Sequence, residues 1–425
     1  MLDRTKEPSF KEIKELNYKQ AEYKTLDNNI PVCVINAGTE AVIKIEFIFE
    51  AGVWYQKKAL TSSFTNSMLN VGTKNLSERE IAEKIDFYGA YISLQSDRDY
   101  ATITLFTLNK YLKETIAVVK EIITNPTFPE KEFNTALDIK KNAFIIDNTK
   151  VRTLASRKFI TSIFGSNHPY GTLAEIEDYD KLNRADLKEF YDKFYTTDNC
   201  KIIVAGKISE DTFKIINDNF GDTWSSKSFK LDNEFAIKPS NEKEQVIFKE
   251  DAVQSALRIG SIMFSRKHPD YIGMQLLNTV LGGYFGSRLM RNIREDKGYT
   301  YGIGSIAYPL KHEGYFSIVS EVNANVCRNA VDEIYKELTI LQTEKIPEDE
   351  LNLVKNYIKG DLIKGFDGPM SLAEKYKILI TDDLDETYFK EFMNVIDNVS
   401  SDDLIKLAQK YLDTNNLINV IAGKC

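Results

Sequence analysis

Residues 182–206, LNRADLKEFYDKFYTTDNCKIIVAG, and residues 399–423, VSSDDLIKLAQKYLDTNNLINVIAG, are one pattern written twice. Leu187 corresponds to Leu404 and Gly206 to Gly423, both at an offset of 217. Further in, FPEKEFNTA at 128–136 matches IPEDELNLV at 346–354, with Pro129 and Pro347 offset by 218. So constant an offset over three elements makes the chain a duplication, with each copy far longer than a solenoid repeat. The boundaries that follow are a first unit at 1–225, a polar linker at 226–247 and a second unit at 248–425.

Within the unit, Ile43, Ile45, Phe47 and Phe49 alternate with Lys44, Glu46 and Glu50, the period of a half-buried strand. A helix is expected over 59–71 and another over 77–88, where Ser77 and Glu80 form a capping-box pair. YISLQS at 91–96 and YATITLFTL at 100–108, joined by a short polar turn, predict an antiparallel hairpin. Helices at 110–124, 130–146, 151–164 and 184–194 precede the closing strand KIIVAG. The second half repeats the order, with a strand at 256–264, helices at 268–281 and 286–297, strands at 299–308 and 313–321, and a last strand at 418–422. Hairpins separated by runs of helices predict an α+β fold, two homologous domains each with an antiparallel sheet and helices on one face.

Composition narrows the function. The 425 residues are 43% apolar and 28% charged, an ordinary globular balance. With 55 basic against 63 acidic side chains and a net charge of −8, no nucleic-acid partner is expected. No apolar run is long enough for a transmembrane helix, so no membrane partner is expected either. The opening MLDRTKEPSFKEIKEL lacks an apolar signal core, which predicts a cytoplasmic chain, or a periplasmic one that has lost its signal. Cys33, Cys200, Cys327 and Cys425 are far apart with no CxxC spacing, as thiols of a reducing compartment would be. His168, His268 and His312 are isolated, and the first two precede proline, so they read as loop residues and not as a metal cluster.

At 60–73, LTSSFTNSMLNVGT resembles in its frame the metal-binding helix of the pitrilysin/insulinase-type metallopeptidases, the inverzincins, whose helix carries H-x-x-E-H. In that motif two His at i and i+4 hold one zinc and the Glu between them serves as general base on the bound water. Aligned on Met68, Leu69, Gly72 and Thr73, the motif positions are Ser63, Asn66 and Ser67. Hydroxyls and a neutral amide are poor zinc ligands, and Asn takes no proton. The family's third ligand, a downstream Glu, falls near Phe144, and no Glu occurs between Glu132 and Glu175. The resemblance therefore implies a chain that holds no metal and no other cofactor.

A second stretch keeps its pattern. LGGYFGSRLMRNIREDKGYTYGIGS at 281–305 resembles the C-terminal-half signature of processing-peptidase-like members. There an Arg and, seven residues on, a Tyr reach toward substrate in the zinc site of a facing domain; the matching pair is Arg294 and Tyr301. The residues alone also allow a plainer account. Arg294 ends a helix stopped by Gly298, where a cation offsets the dipole, and Tyr301 alternates along a strand as a core residue would. Gly282, Gly283 and Gly286 do not make a nucleotide-binding G-x-G-x-x-G and read as close-packing residues.

The resemblance covers the whole chain and implies the two-domain processing-peptidase-like architecture in a clamshell arrangement. It also implies a division of labour. The chain would be the zinc-free subunit of a heterodimeric peptidase, inactive alone, supplying Arg294 and Tyr301 to a homologous zinc-bearing partner that acts on extended peptides. A homodimer is the expectation when that partner is missing. The alternatives are a catalytically inactive scaffold or peptide-binding protein with the same fold, and a hydrolase using Ser63 or Ser67 as nucleophile, for which no His lies near in sequence.

Overall fold

The expected hairpin is present, and the strands around it build the first of two sheets. The computed structural model describes residues 16–225 and 235–425. Strands β1 (Glu22–Thr25), β2 (Pro31–Asn36), β3 (Val42–Phe49), β4 (Tyr91–Ser96), β5 (Ala101–Leu108) and β6 (Cys200–Gly206) form a sheet in the order β1-β2-β6-β3-β5-β4. Its unit carries α1 (Thr61–Ser67), α2 (Glu78–Phe87), α3 (Leu112–Thr124), α4 (Glu130–Asp147), α5 (Val151–Phe164), α6 (Ile176–Lys181), α7 (Arg184–Phe194) and α8 (Glu210–Phe220). The capping box at the start of α2 is made, with Ser77 N donating to Glu80 at 2.8 Å.

The second sheet, in the order β7-β11-β8-β10-β9, consists of β7 (Glu244–Phe248), β8 (Gln254–Met263), β9 (Thr300–Pro309), β10 (Gly314–Asn323) and β11 (Ile418–Gly423). Its unit carries α9 (Tyr271–Asn278), α10 (Cys327–Thr343), α11 (Glu348–Lys364), α12 (Gly368–Thr381), α13 (Tyr388–Asn398) and α14 (Ser401–Tyr411). Apart from β1, the two sheets match strand for strand. The closing glycines of the two copies even share a backbone conformation, φ 139° at Gly206 and 134° at Gly423. A Cβ on Gly206 would stand 2.2 Å from the Val42 carbonyl oxygen, so only glycine fits.

Four expectations need correction. Each sheet is antiparallel except for one parallel pair, β2 with β6 and β7 with β11, because the closing strand returns only after a long helical crossover. The expected linker ends too late: 226–234 lie outside the described residues, and 244–247 already belong to β7. The helices expected over 268–281 and 286–297 are α-helical only in part; Thr279–Gly283 and Met290–Asp296 are π-helical. Finally, Cys327 and Cys425 form a disulfide across a sequence separation of 98, while Cys33 and Cys200 are free and buried. For that pair the reading of all four cysteines as separate thiols fails, since spacing along the chain says nothing about residues that the fold brings together.

Helices of each unit cover one face of their own sheet, and a helix from the other unit covers part of the opposite face. α12 lies across β2 and β6, and α5 lies across β8 and β11. The cores interpenetrate accordingly. Cys33, Ile35 and Ala205 of the first sheet pack with Leu372, Ala373 and Tyr376 of α12, while Val420 and Ala422 pack in the core of the first unit. This is why Lys44 and Glu46, alternating polar residues of β3, are 4% and 2% exposed. Under α12, Lys44 contacts Glu46 at 2.8 Å and pairs with Glu374, and Lys377 reaches Glu46 at 2.5 Å. The junction continues where Trp54 stacks on His312 at 3.9 Å and Lys311 N donates to buried Asp99 at 3.1 Å. None of the helices of the described residues is long and apolar enough to cross a membrane.

Candidate functional site

Two places carry the residues singled out by sequence, one in each unit. The first is α1, beside the free edge strand β4. Ser63 and Ser67 turn their hydroxyls back on the helix, donating to the carbonyls of Leu60 at 3.1 Å and Phe64 at 3.2 Å. Asn66 is buried, and its Oδ1 accepts a 3.0 Å hydrogen bond from the hydroxyl of Tyr195, which burial holds protonated. From α4, Lys140 donates to Ser67 Oγ at 2.9 Å, with its ammonium 4.4 Å from the centre of the Phe64 ring. Burial draws the pKa of Lys140 down. One turn further along α4, Phe144 packs its ring against Tyr179 at 5.4 Å and beneath the Arg157 guanidinium at 5.0 Å.

This set does not fit a divalent ion. Where the family motif would supply imidazoles and a carboxylate, the helix offers hydroxyls and an amide already engaged, with an ammonium against one of them. Among the described residues, no three His, Cys, Asp or Glu side chains come together as metal ligands. A triple variant, Ser63→His with Asn66→Glu and Ser67→His, is expected to take up no stoichiometric zinc, since Lys140 and Phe144 remain in place. Elemental analysis after exposure to zinc and desalting checks this. One tightly held ion in the unaltered chain would overturn the account of this helix.

The second place is the start of β9, an edge strand of the second sheet. Arg294 sits in the π-helical segment, just ahead of Gly298 with its φ of 65°. Its Nε donates to the Tyr301 carbonyl at 3.0 Å, and its guanidinium stacks 4.8 Å from the centre of the Phe285 ring. Nη1 stands 3.6 Å from Glu295. The Tyr301 side chain is free: the residue is 93% exposed, which excludes the core-packing account of it. Phe285 beside it is 67% exposed. The helix-end account of Arg294 is compatible with this geometry, because the same guanidinium that closes the segment also braces the strand. Gly282 packs closely as expected; a Cβ there would lie 2.5 Å from Ser305 N of β9.

The fold thus brings Arg294 and Tyr301 together and sets them on a different unit from Ser63, Asn66 and Ser67. Lys140 and Phe285 escaped the sequence reading. A lysine on an amphipathic helix reads as solvated, and nothing along the chain distinguishes an exposed Phe from a buried one.

The chain matches a family model described as "Insulinase (Peptidase family M16)" over residues 32–164 and one described as "Peptidase M16 inactive domain" over 181–358. It is 25% identical over 367 residues to an uncharacterized zinc protease, YmxG, of Bacillus subtilis (strain 168), covering 84% of this chain and 88% of that protein. It is 26% identical over 263 residues to a probable inactive metalloprotease, YmfF, of the same organism, covering 60% of each. In fold it is similar to the crystal structure of a peptidase M16 inactive domain from Pseudomonas fluorescens, with a TM-score of 0.87, 22% identity, and 95% and 98% of the two chains covered.

Proposed function

The chain belongs to the peptidase M16, or insulinase, family, in its inactive type, and we propose that it is the zinc-free subunit of a two-chain peptidase. The observation that carries this reading is the exposure of Tyr301 on an edge strand with Arg294 fastened beside it, in a chain whose own α1 is unfit for metal. A fully exposed Tyr held by an Arg contributes little to folding, whereas it suits a site that lies on another molecule. α5 and α12 pack each unit against the sheet of the other, and on this reading the chamber of the clamshell lies between two chains. The partner is a homologous chain with an intact H-x-x-E-H helix, and the zinc is the partner's.

This chain's own residues then do two things. With Nε committed to Tyr301 O, Arg294 offers its Nη groups to a peptide carbonyl or carboxylate. The Tyr301 hydroxyl donates to the oxygen that gains charge as the carbonyl carbon becomes tetrahedral. As an edge strand, β9 also turns a row of backbone groups away from β10, two of whose carbonyls, those of Tyr301 and Ala307, are taken by Arg294 and Gln275. An extended peptide would use the remaining groups to lie down as an added strand with little sequence preference. Alone, the chain is expected to hydrolyse no peptide; mixed with an H-x-x-E-H-bearing family member, it is expected to restore hydrolysis. A mixture that forms a complex yet stays silent would favour the scaffold reading instead.

A further inference from the structure

The second unit contains a cavity of about 460 Å³ between α9, α11, α12 and α13, with Ser305 and Ile306 of β9 in its wall. It lies away from Arg294 and Tyr301, neither of which lines it. Asn278 does, at the last position of α9, where the backbone passes into the π-helical turn Thr279–Gly283. π-turns inside helices occur frequently at functional sites. Asn278 is 5% exposed, and its Oδ1 is buried without a hydrogen-bond partner among the described residues. Such an acceptor is costly to leave unmet, and a ligand N–H is one way to meet it.

The charges in the wall are also unevenly matched. Arg266 is satisfied, its Nε 2.6 Å from Asp382 and its Nη1 2.9 Å from the Tyr271 hydroxyl. Lys375 of α12 makes no hydrogen bond or ion pair with any described residue; burial draws its pKa down, the charge of Asp361 works against that, and Arg266 adds to it. Asp361 of α11, itself exposed, is the one carboxylate in the lining. The aromatic rings of Phe389 and Phe392 complete the wall. An ammonium and a carboxylate that sense each other without a direct ion pair, an orphaned acceptor and an apolar surface in a space of small-molecule size are the complement of a zwitterion with an apolar side chain.

We propose that this cavity binds a short zwitterionic peptide of dipeptide size. The ligand's carboxylate meets Lys375, its ammonium meets Asp361, an N–H is left for Asn278 Oδ1, and an apolar side chain lies against Phe389 and Phe392. The proposal does not rest on the subunit reading. It needs neither a partner chain nor turnover, so either can fail without the other.

Isothermal titration of the full chain with the dipeptide leucyl-phenylalanine, its C-terminal amide and its N-acetyl form tests the assignment. The free dipeptide is expected to bind, and each blocked form to bind about ten-fold more weakly, the loss of one charge-assisted contact. Lys375→Met should bring the free dipeptide down to the affinity of the amide, and Asp361→Asn should bring it down to that of the acetylated form. The second variant alters an exposed residue, so it keeps the test valid if the first fails to fold. No binding at millimolar dipeptide, or equal affinity for all three forms, would overturn the proposal.

Discussion

In an enzyme reconstituted from this chain and an H-x-x-E-H-bearing partner, Tyr301→Phe lowers kcat/KM by a factor on the order of 10²–10³, the usual loss for one oxyanion-type donor. The substitution is clean because the ring is almost fully exposed, so removing its hydroxyl leaves the fold within about 0.5 kcal/mol of the original. Arg294→Ala is expected to cost at least as much, since the guanidinium both offers its Nη groups outward and braces the Tyr301 carbonyl through Nε. Arg294→Lys should recover little, because a lysine cannot fork onto a carboxylate and lacks the planar face that stacks on Phe285. Zinc content of the partner and formation of the complex should be unchanged in all three. Variants that keep full activity and melt at lower temperature would reduce the pair to a helix-end brace.

The second large effect concerns the fold. Glu46→Ala is expected to destabilise the chain by about 3–5 kcal/mol, the cost of breaking a buried ion pair from one side, because Lys377 then loses its carboxylate and buried Lys44 keeps only the exposed Glu374. Replacing Lys44 and Glu46 together by Met and Leu should recover most of the loss, as apolar packing often substitutes for such a pair. Denaturant unfolding measures both. The group also predicts a pH dependence. Burial works to raise the pKa of Glu46, but Lys377 and Lys44 outweigh it and hold the carboxyl below its ordinary value. Its contribution is therefore fully present above the ordinary glutamate range and is lost as pH falls through the lowered folded value. The Glu46→Ala variant should lack that acid-side loss.

The duplication was legible because its markers are local: Pro129 and Pro347 at the starts of α4 and α11, and the closing Ala-Gly of each copy, all sit within a few residues of what they determine. The exchange of α5 and α12 was not. The alternation of β3 says that one face is polar, and a polar face reads as wet unless its cover is known. That cover lies some 330 residues away, at Glu374 and Lys377. The same limit hid the Cys327–Cys425 bond. At the candidate site, the loss of ligands at Ser63, Asn66 and Ser67 could be read directly, since a missing imidazole needs no geometry to recognise. What replaced the ligands could not, because Lys140 comes from another helix. The Arg294–Tyr301 spacing was visible through the family pattern alone; the π-helical backbone that presents it leaves no periodicity of its own in so short a segment.

The central claim is most directly tested by activity against molar ratio. A fixed amount of an H-x-x-E-H-bearing family member is titrated with this chain, and hydrolysis of an unstructured peptide is followed at each step. Subunit action predicts silence from this chain alone, little turnover from the partner alone, and a rise that saturates at one chain per partner. Full turnover by the partner without this chain, or hydrolysis by this chain without any partner, would contradict it.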